Sequence, residues 1–180
     1  MMKKSLLLLA ALVLGGCATH WPETALLNPQ VIPSNQQYYS GNRITMEGVD
    51  KREAAYVFSI KKKEKAPVLV NSSQPLNNLL AEKLAEGLRS QGLEVGNSGT
   101  TNLTLAISTA AVTVEEKTFT YVTKSKVSLQ VIADFQGNKL TKQFNMSSSK
   151  EEPGEPTMAD LESTLNQQLG SVLQQIMADE

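Results

Sequence analysis

The sequence predicts an α+β fold, a two-layer sandwich in which a mostly antiparallel sheet carries two amphipathic helices on one face. Three observations predict it. Leucines recur at three- and four-residue spacings in two separated stretches, 75–91 and 157–176, each giving one apolar stripe. Elsewhere apolar and polar residues alternate, the period of strands with one wet face, which suits an antiparallel sheet. Phe, Trp and Tyr make up only 5% of the residues, so the core is built largely from Leu, Val, Ile and Ala.

Ile44, Met46 and, after a slip, Val49 mark a short first strand ending in Gly48-Val49-Asp50-Lys51-Arg52. Tyr56, Phe58 and Ile60 alternate with Val57 and Ser59 in a second. Lys61-Lys62-Lys63-Glu64-Lys65 then forms a solvated turn before Pro67 and the apolar run Val68-Leu69-Val70. Such charge runs keep sheet edges from pairing; the competing reading is a patch for an anionic ligand. Ser73-Gln74-Pro75 opens the first helix, because a first-turn proline lacks only an N–H that would have no partner there. Its stripe is Leu76, Leu79, Leu80, Leu84 and Leu88, and Gly92 ends it, with Leu93 folding back in a Schellman-type stop.

Leu103, Leu105 and Ile107 stand in odd register and Val112 and Val114 in even register. A one-residue slip flips every side chain, so a bulge is expected within Ser108 to Ala111. After a turn at Glu115-Glu116-Lys117, the odd positions Phe119, Tyr121, Val127, Leu129, Val131, Ala133 and Phe135 give a long inward face. Gly137-Asn138 sits where a two-residue primed turn belongs, and Leu140, Phe144 and Met146 continue the return strand. Pro153-Gly154-Glu155-Pro156 interrupts the β pattern. Thr157 and Asp160 resemble a capping box with the shorter acid, opening the stripe Leu161, Leu165, Leu169, Val172, Leu173 and Ile176. The expected order is roughly β-β-α-β-β-β-α, with both stripes packed on the chain's own sheet and no internal repeat.

The leader carries the sharpest local signal. Lys3 and Lys4 form a basic n-region, Leu6 to Leu14 an apolar h-region, and Gly15 and Gly16 a slim segment before Cys17. That is a secretory signal, not a span, since a helix needs about 20 apolar residues to cross a hydrocarbon core. Leu14-Gly15-Gly16-Cys17 resembles a bacterial lipobox. The resemblance implies that the thiol takes a diacylglycerol, that the chain is cut before Cys17, and that the new N-terminus is acylated. Buried acyl chains give about 0.8 kcal/mol per CH₂, so three of them make an effectively permanent anchor.

Three segments follow: a signal peptide over 1–16, the lipidated Cys17 with a flexible tether over 17–42, and a single periplasmic domain over 43–180. The tether is expected from Pro22, Pro29, Pro33 and the polar cluster Ser34 to Gln37. As a coil it would hold the domain roughly 25–30 Å from the bilayer. Trp21 either sits among headgroups or is simply exposed, and Tyr38-Tyr39 either docks on the domain or is exposed.

Cleavage removes two of the 17 basic side chains, leaving 15 against 18 acidic ones, a net −3. That balance argues against nucleic acid and against a polybasic grip on lipid. Cys17 is the only cysteine and His20, in the leader, the only histidine. Zinc sites of the usual kind and Ser/His or Cys/His nucleophilic pairs are therefore excluded, and Gly92, Gly96 and Gly99 follow a helix instead of opening one. No cofactor is expected.

Gly48-Val49-Asp50-Lys51-Arg52, Gly92-Leu93-Glu94-Val95-Gly96 and the hairpin Gly137-Asn138-Lys139-Leu140-Thr141-Lys142, with the lipobox, together resemble the YajG-like lipoproteins of Gram-negative bacteria. The likeness runs from about Ile44 to the C-terminus. It implies a location and no assigned activity. It also makes Ala18 the sorting position; because this residue is not aspartate, the implied destination is the periplasmic leaflet of the outer membrane. The matching Gly-x-Asp-x-Arg falls on Gly48, Asp50 and Arg52. Asp50 and Arg52 either pair to fix the bend between the first two strands or present a carboxylate–guanidinium pair to a partner.

Two functions follow from these readings. The first is a non-catalytic, membrane-anchored lipoprotein that docks on another periplasmic or outer-membrane component. The second is a ligand-binding or enzymatic domain acting on peptidoglycan or lipopolysaccharide, for which Glu115-Glu116 and Glu151-Glu152 are the candidate acids. Both pairs lie in expected turns, and neighbours in sequence do not converge on a substrate. The oligomeric state and the contact surface stay open.

Overall fold

The structure is a computed structural model and describes residues 21–179. Leu14, Gly15, Gly16, Cys17, Ala18 and His20 lie outside the described residues. The elements are β1 (Thr24–Ala25), β2 (Arg43–Asp50), β3 (Tyr56–Lys61), β4 (Val68–Ser72), α1 (Leu76–Ser90), β5 (Glu94–Gly96), β6 (Thr101–Glu116), β7 (Tyr121–Phe135), β8 (Asn138–Glu152) and α2 (Met158–Met177).

The two helices form where local chemistry dictates. Leu76, Leu80 and Leu84 are buried along α1, and the helix ends in the expected Schellman stop. Gly92 N donates to Arg89 O and Leu93 N to Leu88 O, at 3.0 and 3.1 Å. α2 opens with a complete capping box: the Thr157 side chain accepts from Asp160 N, and the Asp160 carboxylate accepts from Thr157 N. The Thr157 hydrogen bonds hold the Asp160 carboxyl below its ordinary value. Leu161, Leu165, Leu169, Val172 and Leu173 are all buried.

The fold is α+β, but the sheet departs from the expected sandwich. It is one eight-stranded mixed sheet, curled into a half-barrel. β3·β4, β6·β7 and β7·β8 are antiparallel, whereas β1·β4, β2·β5, β2·β6 and β3·β6 are parallel. The parallel pairs arise because β2 and β3 are not a hairpin. They run one after the other along the same edge of β6, β2 beside Thr101 to Ile107 and β3 beside Val112 to Glu115. α1 packs on β2, β5 and β6, and α2 on β6, β7 and β8.

The slip in β6 falls inside the expected stretch. Ile107 pairs with Leu129 and Thr109 with Ser128, leaving Ser108 as the extra residue. Leu105 and Ile107 before it and Val112 and Val114 after it are therefore all buried. Two expectations fail nearby. Phe119, read as inward, lies in the turn between β6 and β7 and is 87% exposed, because Lys117 N closes that turn on Thr120 O and leaves residue 119 outside the ladder. The β7–β8 turn is Gln136-Gly137 and not Gly137-Asn138: Phe135 pairs with Asn138, and both turn residues have positive φ, 52° and 86°.

The larger correction concerns the flexible tether expected over residues 17–42. From Trp21 onward this stretch is a packed strap. Trp21, Ala25 and Leu27 are buried, and β1 within the strap pairs with β4. Leu26 N, Asn28 N and Ile32 N donate to the side chains of Glu162, Asn166 and Gln174 on α2, at 2.9, 2.8 and 3.1 Å. Gly170 completes that row, pressed so closely on Gln30 that an added Cβ would stand 2.5 Å from its carbonyl oxygen. The match is metric: two extended residues advance about 6.6 Å and four helical ones about 6.0 Å. One strap side chain in two therefore points into the core, and the backbone groups between are satisfied by a helix face. The prolines serve this extended run, since they fix φ without needing a donor.

Candidate functional site

Gly48, Asp50 and Arg52 are brought together at the junction of β2 and β3. Asp50 stands opposite Ile107 and Phe58 opposite Val112, so the edge segment takes a detour that β6 does not share. Arg52 clips the detour. Its Nε and Nη2 donate to Asp50 Oδ1 and Oδ2 at 2.9 and 2.8 Å, its backbone N to Oδ1 at 3.1 Å, and its Nη1 to Tyr56 O at 3.3 Å. The Arg52 side chain is only 8% exposed against 34% for Asp50. These groups are turned on one another, and the Asp50 carboxylate keeps part of its surface exposed.

The hydrogen bond from Arg52 holds the Asp50 carboxyl below its ordinary value, against a smaller opposing effect of burial. A depressed folded pKa stabilises above the unfolded value and is lost as pH falls through the folded one. Asp50→Asn is therefore expected to cost about 1–2 kcal/mol near pH 7, a charged hydrogen bond discounted for partial exposure. The gap to wild type should close below about pH 4, as followed by urea unfolding across pH.

At one end of the half-barrel, the sheet and the C-terminal ends of both helices enclose an open cleft of about 350 Å³. Ile44, Leu103, Val131, Leu140, Phe144 and Ile176 give it an apolar lining. Arg43, Lys142 and Asp179 also line it; Arg43 is ion-paired with Glu94, and Lys142 Nζ lies 2.6 Å from Asp179 Oδ2. Leu140, 60% exposed, stands on the first half of β8. β8 pairs with β7 alone among the described residues, so its outer edge is open for 15 residues. Cleft and open edge are thus parts of one surface.

The remaining candidates lie apart from it. Lys62 reaches Glu155 at 2.8 Å, which raises its pKa, and Glu116 accepts from Lys63 N, so part of the lysine run braces the neighbouring turns. Glu115 pairs with Lys117, and Glu151 accepts from Thr120. Neither acid pair points into the cleft. Tyr39 is half-buried against the core while Tyr38 is 60% exposed. Among the described residues no helix is long and apolar enough to cross a membrane, and no His, Cys, Asp and Glu cluster is placed to hold a metal.

A family described as uncharacterized lipoprotein matches residues 29–180. The chain belongs to this family. The YajG-like resemblance read from the motifs stands with it. This lipoprotein matches no curated protein. Its fold is shared with a Xanthomonas campestris protein of the family DUF330, at 10% identity and a TM-score of 0.60, covering 86% of this chain and 92% of that one. A second solved structure, described only as an uncharacterized protein, matches at 17% identity and a TM-score of 0.50, over 87% and 99% of the two chains. At such identities the likeness is one of fold. The family description names a lipoprotein and no reaction.

Sequence reading missed the cleft in this lipoprotein. Leu140 and Phe144 were legible as part of the return strand, but Lys142 and Asp179 are 37 residues apart and meet only once α2 lies across the sheet. No local pattern announces that meeting.

Proposed function

We propose that this lipoprotein is a non-catalytic envelope component, held by acylated Cys17 in the periplasmic leaflet of the outer membrane, that docks another envelope protein along β8. One observation carries the reading: the strand that lines the apolar cleft is also the strand whose outer edge is open. An extended segment added beside β8 would gain main-chain hydrogen bonds, and its inward side chains would reach the cleft, which supplies selectivity. Anchoring concentrates both partners near one surface, so a weak contact suffices.

In-cell photocrosslinking tests it. A photoreactive residue at Leu140 should give one protein adduct of defined mass, and the same residue at Lys126, exposed on β7, should not. Identical adducts from both positions, or none from Leu140, would count against docking at β8. The cleft's volume also lies in the range of small-molecule sites. A lipid- or glycan-sized adduct confined to Leu140 would instead favour the ligand-binding alternative toward lipopolysaccharide or peptidoglycan.

A further inference from the structure

We infer that the end of the sheet opposite the cleft is a membrane-docking surface that seats the domain upright on the lipid, with Phe119 in the headgroup layer. The inference rests on the acylation of Cys17 proposed above and goes beyond it, because an anchor alone does not orient a domain.

Its first support is where the packed chain begins. Trp21 is buried, so only the residues between it and Cys17 are left to span the gap, at most roughly 14 Å. Register then says which end of the molecule this short leash holds. The strap runs parallel to β4, Thr24 opposite Asn71, and along α2 from Glu162 to Gln174, so going back from Thr24 it heads away from the cleft, toward the end that holds the start of α2, the β3–β4 turn and the β6–β7 turn. The cleft residues Leu103, Ala133 and Leu140 lie toward the other end of the same strands, at most roughly 40 Å away along a strand.

The second support is what that near end displays. Phe119 at the tip of the β6–β7 turn is the most exposed large apolar side chain among the described residues, and Val68 and Leu69, which open β4 after the β3–β4 turn, are 40% and 51% exposed. Lys61, Lys63 and Lys65 make no ion pair among the described residues. Glu64, Glu116 and Glu151 lie at the same end, so positive and negative side chains offset one another. The apolar tip therefore supplies the attraction, and the lysine stems let their ammonium groups reach lipid phosphates from the rim. The apolar part of this contact, which carries the attraction, is insensitive to salt. It leaves the open edge of β8 and the cleft facing away from the bilayer, free for a partner.

The test uses the full lipidated protein in vesicles of phosphatidylethanolamine and phosphatidylglycerol. Lipidation occupies the sulfur of Cys17, so Phe119→Cys or Leu140→Cys supplies the only free thiol for a nitroxide. Both sites are exposed, so neither change disturbs the core. The expected result is a label at 119 reached by oxygen and shielded from an aqueous nickel relaxant, at low and high salt alike, with the label at 140 showing the reverse. Water-like accessibility at both sites in protein that co-sediments with vesicles would overturn the docking and leave the anchor standing. Lipid-like accessibility at both would overturn the upright orientation. Protein that stays in the supernatant would remove the anchor, and the inference with it.

Discussion

Leu27→Ala is expected to lower the unfolding free energy by about 2–5 kcal/mol, the range for truncating a buried leucine whose surroundings relax only partly. Leu27 is fully buried, within a stretch whose composition reads as coil. Its neighbour Leu26 is 69% exposed, and because it donates to Glu162 through its backbone, Leu26→Ala keeps that hydrogen bond. That second variant is expected within about 0.5 kcal/mol of wild type. Urea unfolding of both reads the difference directly. Equal, small effects would mean the strap is not part of the core.

Gly48→Ala should cost about 3 kcal/mol, at the upper end of overpacking effects. The added Cβ would stand 2.2 Å from the carbonyl oxygen of Asn77 and 2.8 Å from its carbon. Both are backbone atoms in the first turn of α1, so no side chain can swing aside and the helix itself must lift. That would also break the bond from Asn77 Nδ2 to Gly48 O, now 3.0 Å. Gly154→Ala is the matched comparison: its Cβ would meet nothing within 4 Å, and it should be close to neutral. Thermal unfolding of the two variants side by side decides whether close approach is what position 48 requires.

What could be read ahead of the structure was what is local. A leucine stripe, a capping residue and a glycine stop all act within a few residues, so both helices lay open in the sequence. The Ser108 bulge was equally legible, because a change of parity between Ile107 and Val112 has no other economical cause. Pairing is not local. That β2 and β3 lie end to end beside β6 depends on the crossover through α1, and nothing within residues 43–61 encodes it. The sequence placed Asp50 and Arg52 two residues apart at a bend, but the chelate between them and the bond from Arg52 to Tyr56 O depend on the detour's geometry.

The strap is the instructive miss. Ala25, Leu27, Pro29 and Val31 alternate with outward residues, a period-two signal that was present but outweighed by three prolines and a polar cluster. The partners that make it stable, Glu162, Asn166 and Gln174, are far away in sequence and read only as the wet face of a helix. Phe119 failed for the opposite reason: it kept the parity of a strand that begins two residues later.

A domain seated close to its lipid, with its open edge held away from the bilayer, requires that the chain be ordered almost from the anchor onward. Amide hydrogen exchange at Leu26, Asn28 and Ile32 measures this most directly, since these N–H groups are bound only if the strap lies on α2. Protection comparable to that of the α2 amides is the expected result. Exchange at the rate of an unstructured peptide, while Leu165 and Leu169 stay protected, would return residues 21–33 to a free tether and contradict the account.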